Sequence, residues 1–226
     1  MNYWLLLRGL GRDARHWGVF PRQLRDALGE GEAEVLTMDL PGNGQRNDEP
    51  SPASVAAMVD DCRSRLAPKL CGEPLQLLAL SLGGMVALDW LCRHPDEIAR
   101  CVLINTSLGG VNPVYQRLRP RQYWRLLRLL LGAAPESAEA LILAMTSNRP
   151  DKQLLAEWVT YHRERPVERG NLLRQLQAAA RFRAPTVMPP TPVLLLASEH
   201  DQLVDVACSR RLSRRYHWPL IVHGSA

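Results

Sequence analysis

The 226-residue chain has very little lysine and lacks paired cysteines. Of its 28 basic residues, only Lys69 and Lys152 are lysine. Its five cysteines are scattered along the chain, odd in number and without a CxxC pair or clustered histidines. This pattern is typical of reduced thiols in a cytoplasmic protein, and it predicts neither a disulfide framework nor a zinc site.

Long hydrophobic runs are also absent. The apolar segment at the start, MNYWLLLRGLG, is short, follows no basic segment and precedes no small-residue cleavage site. It predicts a buried strand, and we expect no signal peptide and no membrane span. With 46% hydrophobic and 23% charged residues, the composition is typical of a single globular domain that buries a sizeable core.

Short apolar runs alternate with helical stretches, and this alternation predicts an α/β fold with a mostly parallel sheet flanked by helices. Strands are predicted at residues 3–7, 34–38, 75–80, 101–105, 192–197 and 219–222. The helices between them are predicted at residues 17–28, 54–66, 82–93 and 204–216, each bounded by Gly, Pro or Asp.

This alternation stops at residues 111–185, where the sequence predicts four successive helices and no strand. The helices are separated by Gly132, Pro135, Pro150 and Pro166. The pattern predicts a core of residues 1–110 and 186–226 with a helical insertion at 111–185. We refer to residues 111–185 as the insertion.

The positive charge is concentrated in the insertion. It carries 13 basic residues and six acidic ones, a net charge of +7 within a chain whose net charge is +5. Arg121, Arg125 and Arg128 recur there at helical spacing, which fits a solvated helix face as well as a field that attracts anionic ligands. Since no nucleic-acid motif accompanies these arginines, we expect no nucleic-acid partner.

The segment LLALSLGGMVALDW predicts a strand that ends at Ser81 and a helix that begins immediately afterwards. A serine on such a sharp turn projects its hydroxyl above the edge of the sheet, and small residues two positions away on either side avoid a steric clash. Ala79 and Gly83 meet this requirement. A serine that merely caps the helix is the alternative interpretation.

With these motifs, the sequence resembles the α/β-hydrolase superfamily over nearly the whole chain. The resemblance rests on GLGRDARHW, DLPGNGQR, ALSLGGM, NTSLGG and SEHDQLVD, each of which follows a predicted strand. The sequence is most similar to small lidded carboxylesterases of the pimeloyl-acyl-carrier-protein methyl ester esterase type. That family usually has glycine in place of Ala79 and often histidine in place of Arg8.

The resemblance implies a serine hydrolase that cleaves a carboxylic ester or thioester through an acyl-enzyme intermediate, with the insertion as a four-helix lid. Ser81 would be the nucleophile, Asp201 would orient the base, and the N–H groups of Leu10 and Leu82 would form the oxyanion hole. Glu199 and Asp205 are rival carboxylates in the same predicted loop.

The position of the catalytic histidine is the open question. The family pattern places it one or two residues beyond Ala226, and we expect the base there. His223 is the nearest alternative, although it lies at the end of the predicted last strand, where a side chain can point away from Ser81. A protein without the histidine would be a ligand-binding or regulatory protein, and this is the alternative function.

The expected substrate is a small-molecule or carrier-bound acyl ester, with acyl-carrier protein as a candidate partner. Its acyl pocket would be apolar and would use Trp124, Trp158 and His162 of the insertion, although the same residues also fit a plain lid core. No metal or organic cofactor is implied, because the sequence lacks a phosphate-binding glycine motif and ester hydrolysis needs neither.

Overall fold

The computed structural model describes residues 2–29, 31–148 and 151–224. Pro150, which was predicted to separate two helices, and Ala226 lie outside the described residues. The strands are β1 (Asn2–Leu7), β2 (Ala33–Met38), β3 (Leu75–Leu80), β4 (Ile98–Ile104), β5 (Val193–Ser198) and β6 (Leu220–His223). The helices are α1 (Phe20–Leu28), α2 (Val55–Leu70), α3 (Leu82–Arg93), α4 (Val114–Arg117), α5 (Tyr123–Leu131), α6 (Pro135–Thr146), α7 (Lys152–Glu164), α8 (Arg169–Arg181) and α9 (Ala207–Tyr216).

The six strands form one sheet in the order β2-β1-β3-β4-β5-β6, and every pair is parallel. The predicted mostly parallel sheet flanked by helices is therefore confirmed. Parallel strands are usually covered on both faces, which makes their sequences continuously apolar. The carboxyl ends of all six strands lie at one edge of the sheet, where loops from distant parts of the chain meet.

Strand β1 shows how the two faces are buried. Leu5 and Leu7 belong to the core cluster that includes α2 and α3, whereas Trp4 and Leu6 belong to the cluster that packs against α1. Successive residues of a strand point to opposite faces of the sheet. Because helices cover both faces, all four of these apolar side chains are buried.

Helices α4 to α8 occupy the chain between β4 and β5, in the segment predicted as an insertion. The short helix α4 and the 3₁₀ turn at Pro120–Gln122 precede the four longer helices. Whether these helices form a lid that moves over a site stays a prediction. None of the helices in the described parts of the chain has the length and apolar character needed to cross a membrane.

The first turn of α3 packs directly against the end of β1. A Cβ atom added to Gly83 would lie 2.6 Å from the carbonyl oxygen of Leu7 and 2.7 Å from that of Arg8. Real side chains do not tolerate such contacts with backbone atoms, so only glycine allows this approach. Gly83 thereby fixes the spacing between α3 and the loop that follows β1.

We predict that Gly83→Ala lowers the free energy of unfolding by about 1–3 kcal/mol, because the added methyl group must push two backbone segments apart. Thermal denaturation measures this as a decrease in Tm. Gly170→Ala is the matched control, since Gly170 also lies in a helix and its added Cβ would have no neighbour within 4 Å. Equal Tm values for the two variants would contradict the prediction.

Candidate active site

Ser81 occupies a sharp turn between β3 and α3. Its backbone has φ 54° and ψ −113°, a conformation that is strained for any residue with a side chain. Three hydrogen bonds hold the turn: the Ser81 N–H donates to Ile104 O (3.0 Å), and the Ser81 carbonyl accepts from Met85 N (3.3 Å) and Thr106 Oγ1 (2.9 Å). This backbone is the strained strand-to-helix turn that exposes a serine hydroxyl above a sheet edge.

The loop after β1 passes close to Ser81. A Cβ atom added to Gly9 would lie 3.2 Å from Ser81 Cβ, so Leu10 follows at a position beside the serine. Leu82 is buried at the first position of α3, where a helix N–H has no intrahelical acceptor. Among the described residues, no hydrogen bond uses the N–H of Leu10 or of Leu82. These two amides are available to a ligand oxygen.

Helix α8 of the insertion fixes the loop after β1. Gln175 of α8 is fully buried, and its Oε1 accepts from Gly11 N at 2.8 Å. Its Nε2 donates to Asn43 Oδ1 (2.9 Å) and to Ser51 Oγ (3.0 Å). A buried amide with both ends satisfied is a rigid connection, so Gln175 sets the position of the Leu10 amide from the insertion side.

Asp201 lies in the loop after β5. Its Oδ1 accepts from Leu203 N (2.7 Å) and Val204 N (3.0 Å). Burial raises the pKa of Asp201, and although these backbone hydrogen bonds oppose the effect, the pKa stays above its usual value. A cationic partner at this carboxylate would relieve the burial cost.

The two rival carboxylates have other partners. Glu199 pairs with Arg210 at 2.7 Å, and Asp205 pairs with Arg119 at 3.2 Å. Neither lines the cavity described next, whereas Asp201 does. The geometry therefore separates Asp201 from its neighbours in the sequence.

A cavity of about 720 Å³ lies between the sheet edge and the insertion. Its lining includes six of the seven residues proposed from the sequence, namely Ser81, Asp201, Leu10, Leu82, Trp158 and His162. Its insertion side is largely apolar, with Leu126, Leu129, Ala138, Ile142, Leu143, Met145, Leu154, Val167, Leu172 and Leu176. Such a volume and lining are typical of a pocket for a small organic ligand.

Trp124 does not belong to this lining, which corrects the sequence-based expectation. Its side chain is 65% exposed on α5. Leu126 and Leu129 of the same helix line the cavity, and a residue two positions before Leu126 points roughly 160° away from it on a helix of 3.6 residues per turn. The helical face that meets the cavity was assigned wrongly.

The sequence did not reveal a cluster of charged residues on the cavity wall. Arg12 Nη1 donates to Glu139 Oε2 at 2.6 Å and to His16 Nε2 at 3.0 Å. Glu139 Oε1 lies 2.9 Å from His162 Nδ1, so this carboxylate joins the loop after β1 to helices α6 and α7. Arg12 also stacks on Trp158, with the guanidinium carbon 4.3 Å from the ring centroid. No local motif predicts this cluster, because its members are distant in sequence.

Both ring nitrogens of His16 have hydrogen-bond partners. Since an arginine can only donate, Nε2 accepts from Arg12, while Nδ1 lies 3.0 Å from Asp13 Oδ1 and 3.2 Å from Asp13 N. Burial lowers the pKa of His16, and the charge of Arg12 lowers it further, against the opposing effect of Asp13. The lowered pKa favours the neutral ring, in which Nε2 can accept from Arg12.

His223 ends strand β6 and is exposed. It pairs in register with Ser198, and its carbonyl oxygen accepts from Glu199 N at 2.9 Å. It does not line the cavity that contains Ser81, whereas His16 and His162 do. Because β6 lies beside β5, the chain that follows β6 starts next to the loop that carries Asp201.

Residues 4–225 match the protein-family description "Alpha/beta hydrolase family". The chain belongs to this family. Among curated relatives, it is 30% identical over 216 residues to "Putative carbamate hydrolase RutD" of Yersinia enterocolitica, covering 92% of this chain and 74% of that protein.

Other relatives match only over part of their length. The chain is 35% identical over 103 residues to the pimeloyl-[acyl-carrier protein] methyl ester esterase of Aromatoleum aromaticum, covering 46% of this chain and 36% of that protein. A match to the biotin biosynthesis bifunctional protein BioHC of Teredinibacter turnerae covers 17% of that protein. These family members support a hydrolytic enzyme.

Solved structures show the same fold. A hydrolase from Pseudomonas aeruginosa superposes with a TM-score of 0.77 at 19% identity, over 99% of this chain and 82% of that one. The α/β-hydrolase fold expected from the sequence is thus confirmed.

We predict that Glu139→Gln lowers the free energy of unfolding by about 3–5 kcal/mol at pH 7, because it leaves the buried Arg12 charge uncompensated. Burial raises the pKa of Glu139, but the hydrogen bond from His162 and the charge of Arg12 outweigh it and hold the pKa below its usual value. A carboxylate with a depressed pKa stabilises the fold above its unfolded pKa of about 4.3 and loses that contribution as the pH falls through its folded pKa.

Chemical denaturation of both proteins between pH 7 and pH 3 measures this difference, which should shrink towards acid pH. Glu136→Gln is the control on the same helix, because Glu136 pairs with Arg163 in solvent and should contribute little. A Glu139→Gln deficit that is independent of pH would count against a role for the charge.

Proposed function

We propose that this protein is a serine hydrolase of the carboxylesterase type, which cleaves an ester or thioester through an acyl-enzyme intermediate. The observation that carries the proposal is the joint placement of Ser81, the free N–H groups of Leu10 and Leu82, and the Asp201 carboxylate around one apolar cavity. A ligand-binding protein would not need a strained serine turn beside two unused amides.

In the first step, the Ser81 hydroxyl oxygen attacks the carbonyl carbon of the ester while a base takes its proton. The negative charge that develops on the carbonyl oxygen is stabilised by the Leu10 and Leu82 amides and by the positive end of α3. The alcohol or thiol leaves with the proton from the base, and Ser81 keeps the acyl group. Water then attacks this ester in the same way and releases the acid.

We propose that the base is a histidine held beside the Asp201 carboxylate. A neighbouring imidazolium would relieve the burial cost of that carboxylate. His16 and His162 line the cavity, but Arg12 occupies one ring nitrogen of His16, and Glu139 occupies one of His162. Both histidines hold the cluster on the cavity wall together.

The substrate proposed here is an acyl ester that is anionic or is presented by an acidic carrier such as acyl-carrier protein. The +7 charge of the insertion supports an anionic ligand, because such a field raises the encounter rate of anions. The resemblance to an esterase that acts on an acyl-carrier-protein ester supports a carrier-bound one.

We predict that a fluorophosphonate probe labels the protein and that Ser81→Ala abolishes the labelling. Hydrolysis of p-nitrophenyl esters should fall at least about 10³-fold in the variant, because the nucleophile is lost. Mass spectrometry of the labelled peptide identifies the modified residue. A protein that binds esters but is neither labelled nor active would instead be the ligand-binding alternative.

We predict that Asp201→Asn lowers kcat by about 10³–10⁴-fold with a smaller change in KM, because an amide favours the wrong tautomer of the base. Asp205→Asn is the matched control: it lies in the same loop, pairs with Arg119 and does not line the cavity. Steady-state kinetics compares the two variants, and similar losses in both would argue against a catalytic role for Asp201.

A further inference from the structure

The charged groups around the cavity are mostly cationic. The lining contains five arginines and three carboxylates, which are Arg8, Arg12, Arg117, Arg165 and Arg169 and Asp13, Glu139 and Asp201. Unlike arginines such as Arg121 and Arg128, which lie outside the lining, these groups border the space that a substrate would occupy. The excess positive charge favours a ligand that carries a negative charge of its own.

Arg12 lines this space and has an unused donor. Its side chain is 8% exposed, and its Nη1 is occupied by Glu139 and His16. Its Nη2 is buried and has no hydrogen-bond partner among the described residues. A buried donor without an acceptor costs about 1–3 kcal/mol, a cost that a bound ligand oxygen would remove.

Arg8 has a second unused N–H donor. This half-buried side chain stacks on Trp17 at 4.8 Å, and its Nε is buried without a partner in the described part of the chain. Burial and the nearby charge of Arg12 lower the pKa of Arg8 to about 10, which leaves it cationic at neutral pH. Two guanidinium groups with unused N–H donors thus border one cavity.

The ion pairs of the loop after β1 leave one of its three arginines without a carboxylate partner. Arg12 is compensated by Glu139, and Arg15 by Asp13 at 2.8 Å. Arg8 forms no ion pair with any described residue. Within the loop after β1, Arg8 is thus the one arginine whose charge has no carboxylate partner among the described residues, and a singly charged carboxylate at its guanidinium would balance it.

Arg8 and Arg12 line the same cavity as Ser81, the proposed nucleophile. Both flank the turn at residues 9–11, and a Cβ atom on Gly9 would lie 3.2 Å from Ser81 Cβ. A carboxylate on Arg8 and Arg12 would thus share the cavity with an ester group at Ser81. The apolar lining between them suits a methylene chain.

We propose that Arg8 and Arg12 form a carboxylate-binding site for the acyl part of the substrate, and hence that the substrates include half-esters of dicarboxylic acids. This inference rests on the proposed function of Ser81 for the ester end. Binding of the carboxylate end depends only on the two guanidinium groups, so it can be tested with ligands that are not hydrolysed.

The test is calorimetric binding of uncleaved amide analogues to the full chain. The ligands are mono-N-methylamides of four-, six- and eight-carbon dicarboxylic acids, each compared with its neutral bis-N-methylamide. For at least one chain length, the acid should bind about 10–100-fold more tightly than the neutral analogue, as expected for charge-assisted hydrogen bonds. Equal affinities at all three lengths would overturn the inference.

Variants test which residues cause the preference for the acid over its neutral analogue. Arg8→Met should reduce it at least about tenfold, and Arg12→Lys should reduce it several-fold, because lysine keeps the charge and loses the planar fork. Arg22→Met on the exposed face of α1 is the control for net charge and should keep the preference. A preference that survives in Arg8→Met and Arg12→Lys would place the carboxylate elsewhere and refute the site.

The two proposals fail in different ways. Selective binding of the acids by a protein that hydrolyses no ester would support the carboxylate site and refute the esterase function. Ester hydrolysis that depends on Ser81, without selective binding of the acids, would support the esterase function and refute the carboxylate site.

Discussion

The close contact between α3 and the end of β1 determines the geometry of the candidate site. Gly83 allows the helix to approach the carbonyls of Leu7 and Arg8, and this approach brings Ser81, Leu82 and the loop after β1 into one small volume. The strain of the Ser81 backbone is offset by a hydrogen bond that it donates to β4 and one that it accepts from Thr106. A larger residue at position 83 would change every distance on which an oxyanion hole depends.

The insertion is attached to the core by buried polar groups as well as by apolar packing. Gln175 binds the loop after β1, and Glu139 binds Arg12 of the same loop. Such contacts are directional, so they fix the orientation of the helices more tightly than apolar contacts would. They also connect the cavity wall to the loop after β1, so a change in the insertion reaches this loop through two hydrogen-bonded side chains.

The sequence predicted the six strands and the serine turn because each depends on local patterns. A buried parallel strand is a continuous apolar run, and a strand-to-helix turn needs small residues at fixed spacing. Arg12 and Glu139 are separated by 127 residues, and nothing near either one indicates the other. Trp124 was expected in the pocket as a large apolar residue of α5, but the local sequence does not show which side chains of this helix meet the cavity, and that of Trp124 is exposed.

Two kinds of positive charge therefore act at different ranges. Exposed arginines such as Arg121 and Arg128 act through solvent, where salt screens their field beyond about 10 Å at 0.1 M ionic strength. Arg8 and Arg12 act at contact distance beside an apolar wall, where screening is weak and unused donors are costly. If the proposed substrate is anionic, the first kind would influence how fast it arrives. The second would select among the molecules that have arrived, so the specificity of the cavity would depend on Arg8 and Arg12 and not on the net charge of the insertion.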